Sequence, residues 1–72
     1  MNITTAMDEA EVLRVELEVL RREHRDLDEA IQALEAEGSR DVLTIRRKKK
    51  EKLVLKDRIR LIEDRLLPDI IA

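Results

Sequence analysis

The 72-residue chain has no cysteine, which excludes disulfides and thiolate metal sites. It also has no Phe, Tyr or Trp. A typical globular core, whose bulk is often aromatic, is therefore not expected, and single-stranded nucleic acid would find no Phe, Tyr or Trp to stack on. Apolar runs never exceed three residues, so no segment reads as a membrane span. Met1 to Val12 lacks the basic-then-apolar pattern of a signal peptide. Together with the missing cysteine, this makes the cytoplasm the expected location. There is one glycine, Gly38, and one proline, Pro68, so few points interrupt a regular helix.

What is present is charge and aliphatic side chains: 44% of residues are charged and 43% apolar, mostly Leu, Ile, Val and Ala. That is too apolar for a disordered tail, and the composition is that of long helices and coiled coils. The net charge of −2 conceals a polarity: residues 1–38 hold 11 acids against 4 bases, residues 39–72 hold 6 acids against 11 bases. Halves of opposite sign are expected to face each other.

Ile3, Ala6, Ala10, Leu13, Leu17, Leu20, His24, Leu27, Ile31 and Leu34 are spaced alternately by three and four, a heptad seam along one helix. Thr5 with Asp8 three residues on reads as its capping box, and Asp8, Glu9 and Glu11 suit the positive end of the helix dipole. Gly38 follows the last periodic residues, where a left-handed cap belongs, and Ser39 or Asp41 can cap a second helix. In that helix the stripe is clear at Leu55, Ile59, Ile62 and Leu66. It is blurred nearer the turn, where Lys48 and Lys52 take seam positions. Pro68 ends the pattern.

The expected fold is all-α: a single domain over residues 1–72, an antiparallel two-helix hairpin resembling a coiled coil. Its helices span about residues 5–37 and 42–67, around a turn at 38–41 and before a tail at 68–72. Folding at Gly38 sets Leu34 near Ile45, Leu20 near Ile59 and Leu13 near Leu66. Two helices leave part of their seam uncovered and so small a domain buries little surface, so copies are expected to associate into a helical bundle. One alternative stays open. The heptad keeps its phase through the turn, so a single straight helix is also in frame, at the cost of placing Gly38 and Asp41 on the seam.

His24-Arg25-Asp26-Leu27-Asp28-Glu29-Ala30-Ile31, followed by the Gly38 turn and then Lys52-Leu53-Val54-Leu55-Lys56-Asp57-Arg58-Ile59, resembles the YdcH-like family of small bacterial proteins over about residues 20–66. The second of these motifs is the more specific. The chain departs from the family pattern at Lys48, where Leu or Met is usual, and at Val54, where a polar residue is usual. The resemblance implies a helical hairpin or coiled coil and supplies no activity or cofactor.

The residues expected to form the oligomer seam are Leu13, Leu17, Leu20, His24, Leu27, Ile31, Leu34, Ile45, Leu55, Ile59, Ile62 and Leu66. His24 is a polar residue at a seam position, a device that fixes register at some cost in stability. Arg46, Arg47, Lys49, Lys50, Lys52 and Lys56 form a candidate patch for a partner or for nucleic-acid phosphates. The plainer reading pairs such cations with Asp28, Glu35 and Glu37 across the hairpin. Val12, Val15 and Val19 form a second stripe off the seam and a candidate second interface. Ile70 and Ile71 in the tail can pack on that end. The few hydroxyls (Thr4, Thr5, Ser39 and Thr44) do not stand beside the one His, and the carboxylates are spread over solvated faces. No catalytic residue, metal ligand or cofactor is expected. The chain is expected to be a non-enzymatic, self-associating module that binds an unidentified protein. The alternative is a nucleic-acid accessory protein using its basic second helix.

Overall fold

The computed structural model describes residues 8–66, as helix α1 (Glu9–Ala36) and helix α2 (Val42–Leu66) packed against each other. The longest extent is 53 Å. One straight helix over residues 8–66 would need about 88 Å at 1.5 Å per residue. The chain therefore folds back at Gly38, and the straight alternative does not describe it.

Helix α1 starts later than the sequence pattern placed it. Asp8 is extended, with φ −78° and ψ 173°, and its carboxylate accepts the backbone N–H of Glu11 at 2.8 Å. Asp8 is thus the N-cap and not the third residue of a helix capped by Thr5. An aspartate carboxylate satisfies a free helix N–H best when it stands just outside the helix. Thr5, with Ile3 and Ala6 of the expected seam, lies outside the described residues. So do Leu67, Pro68 and the tail containing Ile70 and Ile71.

The turn between the helices satisfies the backbone groups that a helix end leaves open. Gly38 takes φ +72° and donates its N–H to Glu35 O at 3.1 Å, while Ser39 N–H reaches Leu34 O at 3.0 Å. These are the two bonds of a Schellman cap, and the positive φ is why glycine stands there. A Cβ at Gly38 would meet nothing within 4 Å, so the requirement is one of backbone conformation and not of space. Asp41 then starts α2. Its carboxylate accepts Thr44 N–H at 3.1 Å and the Thr44 hydroxyl at 2.7 Å, and its own N–H donates to Ser39 Oγ at 3.2 Å.

The core is a single seam. Leu17, Leu20 and Ile62 are buried together, with Leu13, Leu55, Ile59 and Leu66 partly buried around them. This is the pairing expected from a fold at Gly38. Ile31 is the most buried of the described residues, at 3% exposure, and stands apart from that cluster. In the antiparallel register it lies level with Lys48 and Lys52, both half-buried. Their hydrocarbon stems are the cover available there, with the ammonium groups reaching outward. Among the described residues only Leu17, Leu20, Ile31 and Ile62 are buried, and none is below 2% exposure.

Candidate interaction surface

Two rows of residues flank the seam on each helix, and they divide the hairpin into two unlike faces. On one face lie Arg21, Asp28 and Glu35 of α1 and Lys49, Lys52 and Glu63 of α2. These pair across the hairpin: Lys52 Nζ to Asp28 Oδ1 at 2.7 Å, Arg21 to Glu63 at 2.8 Å and Lys49 to Glu35 at 2.9 Å. The Lys52–Asp28 bond is the most enclosed of these, with side-chain exposures of 32% and 36%. The hydrogen bond from Lys52 holds the Asp28 carboxyl below its ordinary value of 3.8. Partial desolvation opposes this, while the charges of Lys52 and His24 and a bond from Gln32 add to it. The Asp41 carboxyl is likewise lowered, by the Thr44 hydroxyl first and then by its backbone N–H.

The other face is an open, mainly apolar groove. Near the turn its walls are Glu23, Asp26, Leu27 and Ala30 of α1 and Glu51, Val54 and Leu55 of α2. Nearer the helix ends distant from the turn they are Leu13 and Glu16 of α1 and Arg58, Leu61, Ile62 and Arg65 of α2. On α1 the flank reads Val12, Glu16, Val19, Glu23, Asp26, Ala30. On α2 it reads Arg47, Glu51, Val54, Arg58, Leu61, Arg65. Both rows alternate steps of three and four, the spacing that keeps side chains on one side of a helix. Val12 is 47% exposed, Val19 47%, Val54 53% and Leu61 64%.

The seam residues named from the sequence, from Leu13 to Leu66, are all buried or half-buried, and His24 is half-buried among them. They hold the two helices of one chain together. Val12, Val15 and Val19 are exposed. Val12 and Val19 stand on the groove side, and Val15 turns further outward.

The basic patch does not hold together as one surface. Consecutive residues are about 100° apart around a helix, so Arg46, Arg47, Lys48, Lys49 and Lys50 encircle α2. Lys49 and Lys52 are engaged by Glu35 and Asp28, Arg47 turns to the groove side, and Arg46, Lys50 and Lys56 are exposed. The periodicity of the seam did not single out Val54, Leu61, Glu51 or Arg58. Their signal was the second row of three-and-four spacing beside the seam on α2, which interleaves charged with apolar residues.

The model of a family of proteins of unknown function, DUF465, matches residues 17–63. The chain belongs to the DUF465 family. The YdcH-like proteins that the sequence resembles belong to this family. No curated protein and no solved structure matches the chain. The DUF465 match takes in the whole seam from Leu17 to Ile62, the turn and most of both groove walls. It includes Leu61 but stops short of Arg65.

No described helix is long and apolar enough to cross a membrane. Among the described residues, no group of three or more His, Asp or Glu is placed to hold a metal ion.

Proposed function

We propose that this DUF465 chain is a non-enzymatic cytoplasmic interaction module whose first partner is a second copy of itself. The observation that carries this reading is the groove face. Val12, Val19, Val54 and Leu61 stand about half or more exposed beside a core of four buried residues. A soluble two-helix hairpin with so little buried surface gains most by covering such a face, and the common solution is a four-helix bundle. Binding of a further, unidentified protein would use whatever apolar surface the assembly leaves open, with Val15 the outermost residue of the valine stripe. The reading is tested by sedimentation equilibrium of the full chain. A particle of at least twice the 8.5 kDa chain mass supports it, and an 8.5 kDa particle at all concentrations up to about 100 µM rejects it.

A second reading, nucleic-acid association, draws on one observation: Arg14, Arg21, Arg22 and Arg25 of α1 line a single surface depression with Glu18. Of these arginines, Arg21 pairs with Glu63, while Arg14, Arg22 and Arg25 are exposed cations on the first helix in addition to Arg46, Lys50 and Lys56 of α2. Clustered cations bind duplex phosphates by displacing counterions, with an affinity that falls steeply with salt. Absence of salt-sensitive duplex binding at micromolar protein would remove this reading.

A further inference from the structure

We infer that two hairpins pack groove to groove about a two-fold axis running along the helices. Both turns then lie at the same end, and α1 of each copy lies antiparallel on α2 of the other. This rests on the self-association proposed above and goes further by fixing the face and the orientation.

The orientation follows from charge. The α1 wall of the groove carries the acids Glu16, Glu23 and Asp26, while the α2 wall carries Arg58 and Arg65 together with one acid, Glu51. No ion pair among the described residues engages Glu16, Glu23, Asp26 or Arg58, and Arg65 reaches Glu9 only at 3.9 Å. Two face-to-face arrangements have two-fold symmetry with the helices aligned. An axis across the helices lays α1 on α1 and α2 on α2, setting acids against acids and arginines against arginines. An axis along the helices lays the acidic wall of each copy on the arginine-bearing wall of the other.

The levels also match in the second arrangement. The Lys52–Asp28 bond lies between the offsets of the other cross-hairpin ion pairs and places Val19 about level with Leu61 and Asp26 with Val54. Glu23 then falls within one step of Arg58, and Glu16 within one step of Arg65. Rotation about a lengthwise axis preserves level. Val19 therefore meets Leu61 of the other copy, Glu23 meets Arg58, Glu16 meets Arg65, and the uncharged Ala30 receives Glu51. Val19 thus contacts Leu61 and two acids contact arginines on one self-complementary surface, as an isologous interface requires, while Asp26 lies against Val54 at the rim.

The test uses the absence of native cysteine. Arg40→Cys, exposed in the turn, carries a nitroxide label, and the label-to-label distance is measured by pulsed dipolar spectroscopy on the assembled full chain. With neighbouring axes 8–10 Å apart, the lengthwise two-fold keeps the labels within about 30 Å. The crosswise two-fold separates the turns by roughly 50 Å, from the 1.5 Å rise over the helices. A long distance in an assembled sample overturns the orientation and leaves self-association intact, whereas a monomeric sample overturns both. A second readout is the association constant. Glu23→Arg alone and Arg58→Glu alone are each expected to weaken it at least tenfold, and the two together in one chain to restore it. Helix content by circular dichroism distinguishes lost assembly from lost folding. Unchanged association in both folded single variants would contradict the contact.

Discussion

The two faces of this hairpin are built from the same residue types at the same spacings and end in opposite conditions. On one face, acids of α1 and bases of α2 reach each other: Asp28 with Lys52, Glu35 with Lys49, and, with signs exchanged, Glu63 with Arg21. On the other, Glu16, Glu23, Asp26 and Arg58 take part in no ion pair within the described residues and Arg65 reaches Glu9 only at 3.9 Å, and between them lie Val19, Val54 and Leu61, about half or more exposed. A face whose charges are already matched within the chain gains little from a second copy. A face with unmatched charges and uncovered aliphatic side chains gains twice, through apolar burial and through charge pairing. The difference thus separates what holds one chain together from what is available to join two.

The largest effect should come from the seam beneath both faces, because its loss abolishes the distinction between them. Leu20→Ala or Ile62→Ala removes a buried side chain from the cluster that Leu17, Leu20 and Ile62 form. Each is expected to cost about 2–4 kcal/mol, seen as an earlier midpoint in urea unfolding. Next is Gly38→Ala, which forces a Cβ into a left-handed conformation with open space around it. A cost of about 1–2 kcal/mol is expected, with the groove unchanged in shape. A similar loss on adding Ala at the exposed Arg40, which neighbours the same turn, would show that the turn is merely sensitive to substitution.

The ion-paired face should be far more tolerant. Lys49→Ala and Arg21→Ala each break a pair whose side chains are 41–56% exposed, so solvent screening leaves no more than about 0.2–1 kcal/mol in each. Losses above 2 kcal/mol in both would mean that this face, and not the seam, holds the hairpin. The smallest effect concerns acid. The Asp28 and Asp41 carboxyls are lowered in the folded chain, so each contributes stability that is fully present above the ordinary value of 3.8. That stability is lost as pH falls from there through the folded values. Lys52→Met should flatten the Asp28 part of this slope below pH 4 and leave the Asp41 part, which Thr44 sustains. An unchanged acid slope would detach Asp28 from Lys52.

The seam was legible in the sequence because ten positions in strict three-and-four alternation leave a helix no other face to bury. Gly38 was legible because a lone glycine after such a run marks a left-handed cap. The half-burial of Lys48 and Lys52 was legible too, since their long stems can cover a seam and still solvate the charge. The start of α1 was misplaced because Thr5 and Asp8 fit one capping spacing and Asp8 and Glu11 another, and only backbone geometry separates them. The Arg46–Lys50 run looked like one patch along the chain, although helical rotation distributes it around α2. The groove was the least legible part. Its α2 wall alternates Glu51, Val54, Arg58, Leu61 and Arg65, which reads as an ordinary solvated flank until the fold sets it beside Glu16, Val19, Glu23 and Ala30.

The most direct test compares the two faces in a single measurement: sedimentation equilibrium of the wild-type chain beside Leu61→Asp on the groove face and Leu53→Asp on the opposite flank. Both residues are 60–64% exposed and neither is among the buried seam, so both variants should keep the hairpin. The expected result is a dimer or larger for the wild type and Leu53→Asp, and an 8.5 kDa particle for Leu61→Asp. A wild-type monomer, or an assembly that survives Leu61→Asp and is lost on Leu53→Asp, would contradict the assignment of the groove as the face that joins two chains.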